Sequence, residues 1–555
     1  MDQPYLLVAD QLPDFPLDES IHVTTRESDS GNFLVANSPT VHAHIIAPEI
    51  DYYLRNSLDS SGDKIHNIPL LYEVRTLVFD LAQDIDYEQE VGQKVLIVAE
   101  ELPPGLIEEL SRQGFTPLDL HPGEITGVEG HIGALRVSTA KRLRTSLETD
   151  QILWYDAPDF AMKQSGVYDA KELGWEEALR RLQENSRRYR YKNFLLYDAN
   201  ICQYHERPLK ETCGKCEEVC PTVAILKIDE ERHLKFDPIN CHGCGGCVSV
   251  CPSGALDFSQ MPRMAFAEAA RYYAGHAVLL IPSELDVPPM SLKAGILPMG
   301  LEGRKFLDEV RLLTLVQESG NAVIFYTDIV SKGTAEAVRM LNEIFRRKYG
   351  KQAVWLCQNA EDLREAIEKA ESIEECRYSI NEEGMKKREI FTYRMAHLVG
   401  DEDLGILETG PHIHYGTVRI NEAACTLCMS CVGVCNVAAL TAHPEDNTLK
   451  FNASLCTDCG YCETACPEAN CLEVIRDTFA LAPSSFVKQT MARDELFRCI
   501  ECGKEFATVK SIEKIAAMMA PRFGDDRAKI RALYCCADCK PKVMLGDYLK
   551  RMEQA

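Results

Sequence analysis

Cys241-His242-Gly243-Cys244-Gly245-Gly246-Cys247-Val248-Ser249-Val250-Cys251-Pro252 sets four cysteines at C-x2-C-x2-C-x3-C spacing and ends on proline. Cys213, Cys216 and Cys220-Pro221 stand upstream of it, and the arrangement then returns farther along the chain. Adding 215 to Cys213, Cys216, Cys220, Cys241, Cys244, Cys247 and Cys251 gives Cys428, Cys431, Cys435, Cys456, Cys459, Cys462 and Cys466. Cys202 and Cys425 complete two sets of eight, and only Cys202 breaks the register. The repeat extends beyond sulfur: Leu234-Lys235-Phe236 before Cys241 matches Leu449-Lys450-Phe451 before Cys456. Such agreement predicts a duplicated folding unit.

The spacing carries its own chemistry. In a C-x2-C-x2-C-x3-C-P run three thiolates wrap one corner of a 4Fe-4S cube and the fourth reaches across to a second cluster. Cys241, Cys244 and Cys247 are therefore expected to share a cluster with Cys220, and Cys213 and Cys216 to share one with Cys251 and Cys202. In the second block Cys425, Cys428 and Cys431 join Cys466, while Cys456, Cys459 and Cys462 join Cys435. Four 4Fe-4S clusters follow. Proline succeeds the fourth cysteine at Pro221, Pro252 and Pro467, but Asn436 replaces it once, read as a changed loop exit because proline ligates nothing. At the position where the register asks for the first ligand stands Lys210. Two readings stand there: an insertion of eight residues moved the ligand back to Cys202, or one iron lacks a cysteine and a three-iron cluster results. Zinc sites and disulfide frameworks use other patterns, pairs of C-x2-C for zinc. The C-x3-C-x2-C signature of radical chemistry fails as well, since Cys247 and Cys251 would need a third cysteine at Gly254.

The chain has 555 residues, 46% of them hydrophobic, enough for several cores. Its formal charge is -25, and four oxidised cores with their thiolates would take it to roughly -33. That balance argues against nucleic acid and for docking to a basic patch on a redox partner. Met1-Asp2-Gln3-Pro4 offers neither the basic flank nor the apolar core of a signal peptide, and no run of about 18 apolar residues predicts a membrane span. A cytoplasmic protein is expected, with any membrane association peripheral and made through a partner.

Residues 1–195 contain no cysteine and read as an α/β domain, with strands at Lys94–Ala99, Leu135–Ser138 and Gln151–Trp154 and a helix over Pro103–Gln113 stopped by Gly114. The first 90 residues resist placement. Arg187, Arg188, Arg190 and Lys192, interleaved with Tyr189 and Tyr191, read as a solvated helix end. Between the cysteine blocks the pattern alternates: strand Ala277–Ile281, helix Arg304–Glu318, strand Ala322–Tyr326, helix Thr334–Arg346, strand Gln352–Leu356, helix Ala360–Ser372. Val338, Leu341, Ile344 and Phe345 fall on one helical face and are core. No G-x-G-x-x-G follows a strand, so Gly300 and Gly303 give only a weak phosphate-cradle signal for a flavin. Cys357, Cys376 and Cys471 are spaced unlike ligands and read as buried thiols.

Cys499-Ile500-Glu501-Cys502-Gly503 and Cys536-Ala537-Asp538-Cys539 pair two C-x2-C elements, the requirement of tetrahedral zinc. A fifth iron cluster or a redox dithiol are the other readings, with Cys535 beside them. Residues 481–555 hold 14 Lys plus Arg against 10 Asp plus Glu, so this end is locally basic.

The fold expected is α+β and multidomain. Residues 1–195 form an α/β domain, 196–262 a dicluster 4Fe-4S ferredoxin module, 263–410 a parallel α/β domain, 411–478 a second dicluster module, and 479–555 a zinc-ribbon or treble-clef-like module.

Tyr197-Asp198 through Ile201-Cys202, Cys213-Gly214-Lys215-Cys216 and Val219-Cys220-Pro221 resemble large bacterial 4Fe-4S binding proteins of the polyferredoxin type. Glu129-Gly130-His131-Ile132-Gly133-Ala134 and Cys499-Ile500-Glu501-Cys502-Gly503-Lys504 are similar to the flanks in those proteins. The resemblance implies cytoplasmic electron transfer, in bacteria often beside a molybdenum- or tungsten-dependent formate dehydrogenase. The first expectation is an electron relay without catalytic residues, passing single electrons from a dehydrogenase to an acceptor. The alternatives are a flavin-containing subunit of a heterodisulfide-reductase-like or quinone-reducing complex, and a non-redox assembly or scaffold factor.

Overall fold

The computed structural model describes residues 3–25, 31–140, 146–206 and 213–553, with side chains to residue 546. The chain divides into two compact units. One holds Met1–Ala199 with Tyr204–Glu383; the other holds Asn200–Gln203 with Gly384–Ala555.

In the first unit, four short strands near the start build a parallel sheet in the order Ile21–Thr24, Tyr5–Val8, Phe33–Ala36, Ala43–Ile46. Helix Ser61–Leu81 follows, with Ser60 accepting from the Asp63 N–H and so capping it. Tyr72, buried on this helix, donates to the Leu6 carbonyl at 2.7 Å and ties helix to sheet. A second parallel sheet runs Val167–Asp169, Gln151–Trp154, Lys94–Val98, Thr116–Leu120. Alternate residues of Lys94–Val98 feed two cores, Val95 and Ile97 meeting Leu110 and Leu182, and Leu96 and Val98 meeting Trp154 and Val167. Burial on both faces explains why this strand reads as an unbroken apolar run. The expected helix forms at Leu106–Arg112 with Leu106 and Leu110 inward. Leu135–Thr139 is a strand, but of an antiparallel ribbon with Ile125–Glu129 and Ser146–Thr149.

One expectation is corrected here. Arg187–Lys192 is no helix end but a strand, paired antiparallel with Asp86–Val91 so that Arg188 faces Glu90 and Arg190 faces Glu88. The strict alternation of Arg and Tyr has a period of two, which a strand uses and a helix cannot. Tyr191 stacks on Tyr87 at 5.4 Å and on Tyr189 at 6.3 Å between ring centroids.

The middle of the chain forms a parallel sheet ordered Ile296–Leu301, Ala277–Pro282, Val323–Tyr326, Val354–Cys357, with helices Glu309–Ser319, Lys332–Tyr349 and Ala360–Lys369. Val338, Leu341, Ile344 and Phe345 are buried as expected. Asp308 caps the Arg311 N–H and starts its helix later than Arg304. Strand Ile296–Leu301 escaped the sequence reading, and it corrects the phosphate-cradle signal. Gly300 lies within that strand, where a Cβ would sit 2.8 Å from the Glu49 carboxylate, and a Cβ on Gly303 would sit 2.9 Å from the Phe258 ring. These glycines admit neighbouring side chains, not a phosphate.

In the second unit, helix Lys387–Val399 precedes the second cysteine block. Beyond that block come the hairpin Leu496–Arg498 with Glu505–Thr508 and the helices Val509–Phe523, Arg527–Leu533 and Lys540–Glu553. Thr508 donates to the Thr426 carbonyl at 2.7 Å, joining this end to the block. Among the described residues no helix is long and apolar enough to cross a membrane.

Candidate metal centres

Each block is built from a hairpin and a strand pair. In the first, Ile225–Ile228 pairs with His233–Phe236 and aligns Ile225 with Phe236; in the second, Leu440–His443 pairs with Thr448–Phe451 and aligns Leu440 with Phe451. Both partners keep the 215-residue offset, so the duplicated sequence is a duplicated backbone. Leu195–Tyr197 pairs with Leu256–Phe258, as Thr417–Ile420 pairs with Leu472–Ile475. Beyond these pairs the Asp198 N–H meets the Ala255 carbonyl at 2.8 Å, and the Asn421 N–H meets the Cys471 carbonyl at 2.7 Å. Cys202 lies five residues past Tyr197 and Cys425 five past Ile420, so Cys202 is the backbone counterpart of Cys425. Lys210 lies outside the described residues.

Within each block the buried cysteines lie within reach of one another's charge. Burial, then the charges of Cys244 and Cys220, push the Cys241 thiol up to about 11. Cys247 is driven well above the usual thiol range by burial, then by Cys216, Cys241, Cys244 and Cys220. In the second block burial, with Cys425, Cys428 and Cys466 adding, takes Cys431 up to about 12. Burial also raises Cys456 to about 12, backbone N–H donation opposing it and Cys459 and Cys435 adding to it. Cys462 rises through burial and then Cys456, Cys459, Cys435 and Cys431. Cys216, Cys241, Cys244 and Cys220 thus all act on Cys247, Cys425, Cys428 and Cys466 on Cys431, and Cys456, Cys459, Cys435 and Cys431 on Cys462. The cross-influences of Cys216 on Cys247 and of Cys431 on Cys462 fall at equivalent positions of the two blocks.

This donor set fits an iron-sulfur core. Buried thiols that repel one another as anions stay protonated when bare, and a polycationic core is what turns such a group into four thiolates. Gly245 and Gly460 take the same left-handed conformation, φ +78° and +73°, just before the helical turns that carry Cys247 and Cys462. Glycine takes this conformation without the steric cost that a Cβ brings. Cys213, Cys216 and Cys251 belong to the first compact unit, whereas Cys202 is buried in the segment Asn200–Gln203 grouped with the second.

Asn436 has a task that the sequence did not reveal. Its amide nitrogen donates to the Cys202 carbonyl at 3.0 Å, and its amide oxygen accepts from Gln203 at 2.9 Å. Tyr461 adds a bond to the Gln203 carbonyl at 3.2 Å. Cys357 and Cys376 are buried thiols as expected. Cys471 is buried too, its thiol donating to the Asn421 carbonyl at 3.8 Å.

Cys499, Cys502, Cys536 and Cys539 bring their sulfurs within 4.8 Å of one another and could hold a metal ion. Cys502 and Cys536 stand 3.7 Å apart, and the Cys536 N–H donates to Cys499 Sγ at 3.3 Å. Burial works to raise the Cys499 thiol, but N–H donors from Cys536, Cys502 and Glu501 outweigh it and bring it down to about 6. Cys535, fully buried, donates to the Arg531 carbonyl at 3.4 Å and contacts Cys499. His414, Asp458 and Asp477 also converge, but Arg476 already pairs with Asp458 at 3.1 Å.

A 4Fe-4S dicluster domain matches residues 211–255, and a second 4Fe-4S dicluster domain matches residues 417–467. The chain thus contains two ferredoxin-type 4Fe-4S dicluster domains. The chain is similar to an uncharacterized ferredoxin of Methanocaldococcus jannaschii, 33% identical over 46 residues, a stretch that covers 8% of this chain and 60% of that protein.

Proposed function

We propose that the chain is an electron-transfer protein of the cytoplasm that carries four 4Fe-4S clusters and relays single electrons between a dehydrogenase and a second redox partner. The observation that carries this reading is the doubled register, in which seven cysteines and both hairpins recur at one offset. Cys202, Cys213, Cys216 and Cys251 would hold one cluster, and Cys220, Cys241, Cys244 and Cys247 the next. Cys425, Cys428, Cys431 and Cys466, then Cys435, Cys456, Cys459 and Cys462, would hold the other two. The place of Cys202 as counterpart of Cys425 supports its role as ligand over a three-iron alternative. A 4Fe-4S core supplies one-electron chemistry at a potential set by hydrogen bonds to sulfur, charge and exposure.

The chain's own residues supply the rest. The buried turn Gly246–Ser249 excludes water around Cys247, while exposed Cys428 brings the second block to the surface, where an electron can enter or leave. Cys499, Cys502, Cys536 and Cys539 would bind one zinc ion that folds the C-terminal module. A formate dehydrogenase is the dehydrogenase we favour, supported by the resemblance of the sequence flanks to proteins associated with that enzyme.

Anaerobic purification followed by iron, sulfide, zinc and flavin analysis tests the reading. The expected content is about 16 irons and one zinc per chain without flavin. About eight irons would sink the four-cluster assignment.

A further inference from the structure

Helices Arg527–Leu533 and Lys540–Glu553 pack on each other, and a cleft of about 380 Å³ opens where they meet. Arg527 and Arg531, four residues apart on the first helix, line it together with Lys542 on the second, beside the half-buried Ala528 and Val543. Gly546 completes the lining, and a Cβ there would meet open space. Three cations thus share the cleft with one carboxylate, that of Glu501, which accepts from the Arg531 Nε at 2.6 Å. Other cations of this module are matched: Arg498 with Glu505, Lys504 with Asp538 and Lys529 with Asp526, each at 3.1 Å. Among the described residues Arg527 and Lys542 have no such partner. Met544 and Leu545, between the lining residues Val543 and Gly546 in sequence, are 40% and 58% exposed.

We infer that this cleft is a docking site for an acidic segment of a partner protein, whose carboxylates pair with Arg527, Arg531 and Lys542 while its apolar side chains cover Met544 and Leu545. A guanidinium takes a carboxylate through two parallel N–H bonds, and Arg531 keeps further N–H donors after Glu501 has engaged Nε. Charge complementarity selects the occupant. The whole chain carries -25, yet residues 481–555 hold 14 Lys plus Arg against 10 Asp plus Glu. A nucleic acid would spread its phosphates over a surface that repels them, whereas a short acidic segment meets only the basic cleft. An inorganic oxyanion would use the cations and leave the exposed apolar side chains uncovered.

The test is fluorescence anisotropy on the full chain, purified anaerobically, with a labelled peptide of alternating Glu and Leu and its Lys-for-Glu counterpart. The acidic peptide is expected to bind saturably and the basic one not. Arg527→Gln with Lys542→Gln should weaken binding about tenfold or more. Gly546→Phe, which keeps every charge and fills the cleft, should abolish it. Lys529→Gln, on the same helix but outside the cleft, should leave it at wild type. Metal content and melting are expected to be unchanged in all the variants, so the outcome is independent of the relay reading, which iron content tests. Absence of binding overturns the inference. So does a loss with Lys529→Gln equal to that with the cleft variants, which would make the effect one of diffuse charge. Displacement of the peptide by inorganic phosphate at equal concentration, or tighter binding of a single-stranded oligonucleotide, overturns it in favour of an oxyanion or a nucleic-acid site.

Discussion

The two cysteine blocks share one sequence register and one backbone, but they are seated differently. In the first, residues 245–251 are buried throughout, and the turn Gly246–Ser249 lies against helix Lys332–Tyr349 so closely that a Cβ on Gly333 would sit 2.7 Å from the Ser249 carbonyl. In the second, the equivalent turn Tyr461–Ala465 buries only Tyr461, Cys428 is exposed where its counterpart Cys213 is half-buried, and a hydroxyl pair, Thr392 with Ser454 at 2.7 Å, makes the contact with helix Lys387–Val399. The hairpin of the first block has two strands; that of the second gains Gln489–Arg493 as a third. Ligand spacing is thus copied while the surroundings diverge. Duplication preserved what a cluster needs and left free what decides its exposure and potential.

Substitutions of graded effect probe that contrast. The largest effect is expected from Cys244→Ser and Cys459→Ser, one in each block. Each should remove roughly four irons, and if both variants retain wild-type electron delivery to the partner, the relay reading is wrong. Next, Cys502→Ser should cost the C-terminal module its metal and its fold, read as lost zinc and new protease sensitivity after residue 495, with iron content unchanged. Gly333→Ala should destabilise the first unit by about 1–3 kcal/mol in a chemical melt, because the new methyl meets backbone. Thr392→Val, its counterpart in the second unit, should cost about 1 kcal/mol, since Ser454 keeps its bond to Asn452. A result in which Gly333→Ala is neutral would erase the difference in seating.

The smallest effect is an exchange of donors. Thr222 places its hydroxyl 3.5 Å from Cys220 Sγ, and Val437 stands at the equivalent position beside Cys435. Thr222→Val should lower one potential and Val437→Thr raise another, each by less than a tenfold change in the reduction equilibrium. Shifts of the same sign in both would break the comparison.

The sequence made the cysteine blocks legible because ligand spacing is a local property, and 4Fe-4S dicluster domains match residues 211–255 and 417–467. The parallel middle sheet was legible through its long periodic helices and apolar strands. Strand Ile296–Leu301 was not, because Pro298 and Gly300 within it imitate a loop. Arg187, Arg188 and Arg190 are exposed as their charge suggests, but the segment is a strand, because its Arg–Tyr alternation has a period of two and its partner Glu88 lies 102 residues from Arg190. The place of Asn436 could not be found from linear spacing, as its partners Cys202 and Gln203 come from a segment more than 230 residues away.

The paired influence of Cys216 on Cys247 and of Cys431 on Cys462 has a consequence for how each dicluster domain fills. Sulfurs of neighbouring cysteine groups feel one another's charge, so an electron placed on one side raises the work of placing a second beside it. With two clusters held as proposed, each domain would charge anticooperatively: its two one-electron steps would separate, and the singly reduced form would persist over the interval between them.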